Sequence, residues 1–162
     1  MQEKAEQPLV SIIVLTYNSA AYVLETLESA KTQTYRNIEL IVSDDCSTDY
    51  TVEICSKWIK ENKSWFIRTE LITSPVNTGV TRNCNRTLRA ASGCWIKFIA
   101  GDDVLLPNCI LDNIKYVSLN PEVRILFSSP IIFYDQSLKI QNEPNYFSQS
   151  ISHYNKTSKE QY

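Results

Sequence analysis

The chain has 162 residues, 43% hydrophobic and 21% charged, with three glycines and six prolines. That length supports one domain with its own buried core, and the composition excludes disordered, collagen-like and mucin-like classes. Sixteen basic and eighteen acidic residues leave a formal charge of -2, so no global field draws the chain to nucleic acid.

In chain order, the run LVSIIVL from Leu9 to Leu15 is short, apolar and rich in β-branched residues, and TYNS follows at once, which predicts a buried strand ending in a polar loop. From Ala20 to Thr32 the period changes. Val23, Leu27 and Ala30 fall at i, i+4 and i+7, the buried stripe of an amphipathic helix. Ile38 to Val42 predicts a second strand, ended by SDDCSTD. Asp49 is placed to cap a helix with Val52, Cys55 and Ile59 inward, before ENKS breaks the pattern. A weaker strand, Phe66 to Thr73, is closed by Pro75, and a third helix is expected from Val80 to Ala91. Val80, Cys84, Leu88 and Ala91 should form its buried face, with Gly93 as its stop. Trp95 to Ala100 predicts a fourth strand, GDDVLLP a loop, and Pro107 to Leu119 a helix opened by its proline.

Strict alternation of strands and helices specifies an α/β fold, a mostly parallel sheet covered by helices on both faces. Beyond Pro121, ILFSSPIIFYD reads as one or two further strands interrupted by Pro130, able to pair antiparallel at the sheet edge. After Asp135 the apolar density falls, and no repeat or linker interrupts residues 1–162, which are read as one domain.

Cys46, Cys55, Cys84, Cys94 and Cys109 are odd in number and contain no CxxC pair, so they are expected as separate reduced thiols in core positions of a cytoplasmic protein. The single histidine, His153, lies in a polar tail, and histidine-based zinc chemistry and a Ser-His-Asp triad fit poorly. No run approaches eighteen apolar residues and the first seven residues are polar, so neither a membrane span nor a signal peptide is expected.

Three polar clusters follow predicted strands directly: Thr16, Tyr17 and Asn18, then Asp44 and Asp45, then Asp102 and Asp103. The C-terminal ends of parallel strands share one edge, where clusters distant in sequence can converge on a ligand crevice. Acids and asparagines at such positions also serve as helix caps. Four carboxylates at one crevice would repel one another unless cations or donors compensate them, and Mg²⁺ or Mn²⁺ is such a cation. Asp102 and Asp103 are the better ligand candidates, because Gly101 before them admits a tight turn. Asp44 or Asp45 can instead accept the N–H of a nucleobase. Arg82, Asn85, Arg86 and Arg89 form one helical stripe, read either as a solvated face or, at Arg82 and Arg86, as phosphate or ribose contacts. Neither GxGxxG after the first strand nor GxxxxGK[ST] occurs.

The run VSIIVLTYNSAAYVLETLESAKTQTYRNIELIVSDDCSTD, followed by NTGVTRNCNR and GCWIKFIAGDD, resembles the amino-terminal, nucleotide-sugar-binding half of family 2 glycosyltransferases, continuously from Pro8 to Leu119. The resemblance implies a GT-A fold and an inverting enzyme of bacterial surface-polysaccharide synthesis. It implies that Thr16, Tyr17 and Asn18 lie against the base, that Asp44 or Asp45 binds it, and that Asp49 holds the loop. Asn77, Gly79, Arg82 and Arg86 would lie near diphosphate and ribose. Asp102 and Asp103 match a metal motif often written DxD, one toward ribose and one toward Mn²⁺ or Mg²⁺. Ala100 stands at its first acidic position and cannot ligate a cation.

The resemblance also implies a catalytic carboxylate in an ED-like motif several dozen residues beyond the metal motif. Only 59 residues follow Asp103 and no ED pair is among them, with Asp135 and Glu143 the acids worth considering. The expectation is therefore an amino-terminal part of a longer enzyme, with its base downstream. The expected partners are a nucleoside diphosphate sugar and a saccharide or lipid-linked saccharide acceptor, at the inner face of a membrane or free in the cytoplasm. The alternatives are a metal-dependent nucleotidyltransferase, which would turn over nucleoside triphosphate, and a nucleotide-sugar-binding domain without transfer.

Overall fold

The computed structural model describes residues 7–128 and 130–131. Backbone contacts divide the chain into Met1–Pro121 and Glu122–Tyr162, and the first unit holds all the helices and strands among the described residues. These are β1 (Val10–Thr16), α1 (Val23–Lys31), β2 (Ile38–Asp44), α2 (Thr51–Asn62), a 3-10 turn (Lys63–Trp65), β3 (Arg68–Thr73), α3 (Val80–Ala90), β4 (Trp95–Ala100) and α4 (Cys109–Leu119). The four strands are parallel in the order β3-β2-β1-β4. β1 and β2 are central, and Ile12, Ile13, Leu40 and Ile41 have no exposed surface. Burial of each contributes about 1.5–3 kcal/mol.

Neighbouring residues of a strand face opposite sides of the sheet. Ser43 of β2 hydrogen-bonds Asn83 of α3 on one side, and Asp44 lies near Cys55 of α2 on the other, where α1 packs on α2. Helices therefore cover both faces, as the alternation predicts.

Two helices are rotated relative to the expected stripes. In α2 the buried residues are Thr51, Cys55, Trp58 and Asn62, while Val52 and Ile59 are half-buried. Asp49 and the backbone N–H of Ser19 bond to Thr51 and turn that side of the helix inward. In α3 the buried residues are Asn83 and Thr87, and Val80 and Leu88 are exposed. The paired bonds of Asn83 with Ser43 set that rotation.

Gly93 is not a left-handed helix cap, since α3 ends at an extended Ala91. Its role is close approach: a Cβ there would lie 2.5 Å from Ser11 Oγ and 2.6 Å from Ser11 N. Gly93→Ala is expected to cost about 1–3 kcal/mol, because backbone as well as side chain must shift. An unchanged urea midpoint would contradict this close approach.

Of the expected strands beyond Pro121, Ile125–Ser128, Pro130 and Ile131 adopt none, and no antiparallel strand pairs with the sheet among the described residues. Ile125 and Phe127 remain exposed, so their apolar character is not matched by burial. The rest of that segment, with Asp135, Glu143 and His153, lies outside the described residues. The five cysteines are free thiols, but only Cys55 is buried and Cys94, in the turn before β4, is exposed. No described helix is long and apolar enough to cross a membrane.

Candidate active site

The parallel register brings the three polar clusters to one edge. Thr16 stands opposite Asp44, and Leu15 opposite Ala100, so β1, β2 and β4 end together. Backbone bonds continue past the ends: Asp45 N–H donates to Thr16 O at 3.0 Å and Gly101 N–H to Leu15 O at 2.8 Å. Gly101 is buried, and a Cβ there would meet Ser19 Oγ at 2.8 Å and Thr16 Cγ2 at 2.9 Å. The absent side chain lets the turn carrying Asp102 and Asp103 lie directly on the loop after β1.

The loops after β1 and β2 are stapled to each other. Asn18 N–H donates to Ser47 Oγ at 2.8 Å, and Asn18 Oδ1 accepts from Thr48 N–H at 2.8 Å. Asp49 Oδ2 accepts from Ala20 N–H at 3.1 Å and its Oδ1 from Thr51 N–H at 3.0 Å. These bonds, led by that from the Thr51 hydroxyl, hold the Asp49 carboxyl below the usual range against the opposing effect of burial. Asn18 and Cys46 have φ values of 52° and 71°, a conformation few non-glycine residues adopt and one found disproportionately at ligand sites. Tyr17, between these anchors, is half exposed.

Asp44 and Asp45 are both buried, and their carboxylates are already engaged. Asp44 accepts from Thr16 Oγ1 at 2.8 Å, Ser47 N–H at 2.8 Å and the Ser47 hydroxyl. Asp45 Oδ2 accepts from the N–H groups of Thr78 and Gly79 at 2.8 and 2.6 Å, and Oδ1 from Thr78 Oγ1 at 2.6 Å and Arg86 Nη2 at 3.3 Å. Burial pushes the Asp45 carboxyl up, but the bonds from Thr78, Gly79 and Arg86 outweigh it and hold the group below the usual range. An ionised carboxylate has about four acceptor positions. Asp45 uses all four and Asp44 three, so a base reaching Asp45 must displace one of these bonds.

Arg86 is oriented from beneath by residues that the helical stripe did not single out. Asn83 Oδ1 accepts from Arg86 Nη1 at 3.1 Å and from Ser43 Oγ at 2.5 Å, and its Nδ2 donates to Ser43 O at 3.1 Å. Asn77, exposed, accepts from Gly79 N–H at 3.1 Å and shapes the turn in which Gly79 has φ 82°. Arg82 is exposed, without a hydrogen bond or ion pair among the described residues.

Asp102 and Asp103 are also exposed, and among the described residues neither side chain has a partner. No group of three or more metal-ligating side chains occurs there. Two open carboxylates at the carboxyl edge of the sheet suit Mg²⁺ or Mn²⁺ held by one or two acids, with phosphate and water in the remaining positions. A surface depression along α2, lined by Val52, Glu53, Ser56, Lys57, Lys60 and Glu61, shares no residue with this edge.

A parallel sheet with acid-bearing loops at its carboxyl edge is the arrangement of GT-A glycosyltransferases, and solved structures of that class superpose on this chain. TarS 1-349 from S. aureus, in complex with UDP-GlcNAc, matches with a TM-score of 0.62 and 29% identity, over 68% of this chain and 31% of TarS 1-349. The mannosyltransferase PcManGT from Pyrobaculum calidifontis, in complex with GDP-Man and Mn2+, matches with a TM-score of 0.64 and 27% identity, over 70% of this chain and 33% of that one. The chain belongs to glycosyl transferase family 2, whose family model matches residues 11–161. One curated relative is the UDP-Glc:alpha-D-GlcNAc-diphosphoundecaprenol beta-1,3-glucosyltransferase WfaP of Escherichia coli, 38% identical over 109 residues. That match covers 67% of this chain and 41% of the relative, so the chain spans less than half of it.

Proposed function

We propose that this chain binds a nucleoside diphosphate sugar and a divalent cation for an inverting glycosyl transfer in bacterial surface-polysaccharide synthesis. The observation carrying this reading is the convergence of the open acids Asp102 and Asp103 with the stapled loops after β1 and β2 at one sheet edge. The relatives add direction. TarS and PcManGT were solved with nucleotide sugars, and WfaP is named for a lipid-linked acceptor. A saccharide on a lipid diphosphate would bring the protein to the cytoplasmic face of a membrane.

Thr16, Tyr17, Asn18 and Asp44 or Asp45 receive the nucleoside in this reading. Asn77, Arg82 and Arg86 approach ribose and diphosphate, and Asp102 and Asp103 hold Mn²⁺ or Mg²⁺. A bound cation neutralises charge developing on the leaving diphosphate. The chain's own residues fix the donor so that an acceptor hydroxyl attacks the anomeric carbon from the side opposite that diphosphate, while a carboxylate base takes the hydroxyl proton.

The test is titration of the chain with UDP, GDP and dTDP and their sugars, with and without Mn²⁺, followed by amide chemical shifts. Shifts are expected at residues 16–18, 44–45, 77–79 and 101–103. Perturbation confined to the opposite edge, around Arg36 and Trp65, would overturn the reading.

A further inference from the structure

The turn that carries Asp102 and Asp103 is fixed at both ends. Gly101 is pinned on the β1 side, as described above. On the other side the chain is tied to the C-terminal end of α1, chiefly through Gln33, a side chain with no exposed surface. Gln33 Nε2 donates to Leu106 O at 2.9 Å and to Ser29 O at 3.1 Å, and Oε1 accepts from Ile110 N–H at 3.1 Å. Ser29 Oγ accepts from Leu105 N–H at 3.1 Å while donating to Thr26 O at 2.7 Å. Thr34 N–H donates to Pro107 O at 2.9 Å, and its hydroxyl to Asn108 Oδ1 at 2.8 Å. Leu105 is buried, whereas Asp102, Asp103 and Val104 are exposed. The acidic pair thus belongs to a three-residue span between two anchors.

We infer that Gln33, supported by Ser29, is a positioning residue for the cation site: it sets the far anchor and so the placement of the Asp102 and Asp103 carboxylates. This rests on the reading of those acids as cation ligands. Its physical basis is the buried amide. One carboxamide satisfies the buried Ile110 N–H at the first turn of α4 and at the same time adds a bond to Leu106 O, which also accepts from Cys109 N–H at 2.9 Å, and no apolar side chain of that size can do so. A loop released there would sample many placements of the two carboxylates. Residues that orient metal ligands without touching the ion commonly alter metal affinity 10–100-fold.

The experiment compares the full chain with Gln33→Met, the lighter Ser29→Ala, and the control Asn62→Ala. Asn62 is a buried amide of α2 that bonds Trp58 O of its own helix and has no bond to the 101–110 segment. Mn²⁺ affinity is read by electron paramagnetic resonance in the presence of UDP or GDP, and nucleotide affinity is read separately without metal. Gln33→Met should weaken Mn²⁺ binding about 10-fold or more, with Ser29→Ala weakening it less. Metal-free nucleotide affinity should stay within about twofold, and amide exchange should accelerate at Leu105 and Ile110. Asn62→Ala should lower the melting temperature without moving Mn²⁺ affinity.

Should Gln33→Met not fold, Ser29→Ala alone decides. Full retention of Mn²⁺ affinity in a folded variant at either position, with wild-type protein binding normally, overturns the inference and leaves the proposed function standing. Equal losses in Gln33→Met and Asn62→Ala also overturn it, by reducing the effect to general destabilisation. Absence of nucleotide-linked Mn²⁺ binding in the wild-type chain overturns both.

Discussion

Replacing Asp102 and Asp103 together with asparagine is expected to abolish the gain in nucleotide affinity that Mn²⁺ confers and to lower transfer by at least about 100-fold. Residues that merely orient metal ligands are worth 10–100-fold in affinity, and the double substitution removes the two charged candidate ligands themselves. Both side chains are exposed and without partners among the described residues. Their exchange removes no fold-stabilising bond there, and a melting temperature close to wild type should accompany the loss. Each single variant should retain part of the response, since one carboxylate with phosphate and water can still hold a hard divalent cation. Isothermal titration with UDP or GDP, with and without Mn²⁺, measures the effect. An unaltered Mn²⁺ response in the double variant would remove these acids from the cation site.

The second large effect concerns stability. Glu39, the second residue of the central strand β2, has 1% of its surface exposed. Its Oε1 accepts from Ser11 Oγ at 2.6 Å, Ser92 N–H at 2.6 Å and Gly93 N–H at 3.0 Å, and Arg68 Nε lies 3.7 Å from Oε2. Glu39→Ala leaves these donors facing a cavity and should cost roughly 2–4 kcal/mol in urea denaturation. Glu39→Gln keeps an acceptor and should cost less.

Burial alone would raise the Glu39 pKa, but the bonds from Ser11, Ser92 and Gly93, with the Arg68 charge, hold it below the ordinary value. A group depressed in the folded state contributes stability above its unfolded pKa and loses it as pH falls through the folded one. The advantage of wild type over Glu39→Gln should therefore be full at neutral pH and shrink below about pH 4. A difference that grew in acid would refute this sign.

The alternation of elements was readable because β1 and β2 are short, mainly apolar runs, interrupted only at Ser11 and Glu39 before their polar ends, and the helices carry a clear period. The acids at the strand ends were readable for a related reason: a polar cluster cutting off an apolar strand is a local event in sequence. What local sequence conceals is the partner of a buried polar group. Asn83 lies outside the stripe of Arg82, Asn85, Arg86 and Arg89 and gives no local signal, yet its bonds with Ser43, forty residues earlier, turn α3 so that Val80 and Leu88 face outward. Gly93 likewise reads as a helix stop until the backbone of Ser11 is seen to pass against it. Gln33 gives no periodic signal, and its importance lies in a loop more than seventy residues away.

The strand order also bears on how the molecule comes together as it is made. β1, β2 and β3 are neighbours joined by single crossovers, whereas β4 must return past β2 to pair with β1, matching Trp95 to Val10 across most of the first unit. Closing that longer loop carries the greater entropic cost, so pairing of β4 trails that of the first three strands. The half of the edge formed by the loops after β1 and β2 can exist on a nascent chain before the acidic pair reaches it. Assembly of the edge is therefore ordered, and the proposed cation site is completed only with the final strand.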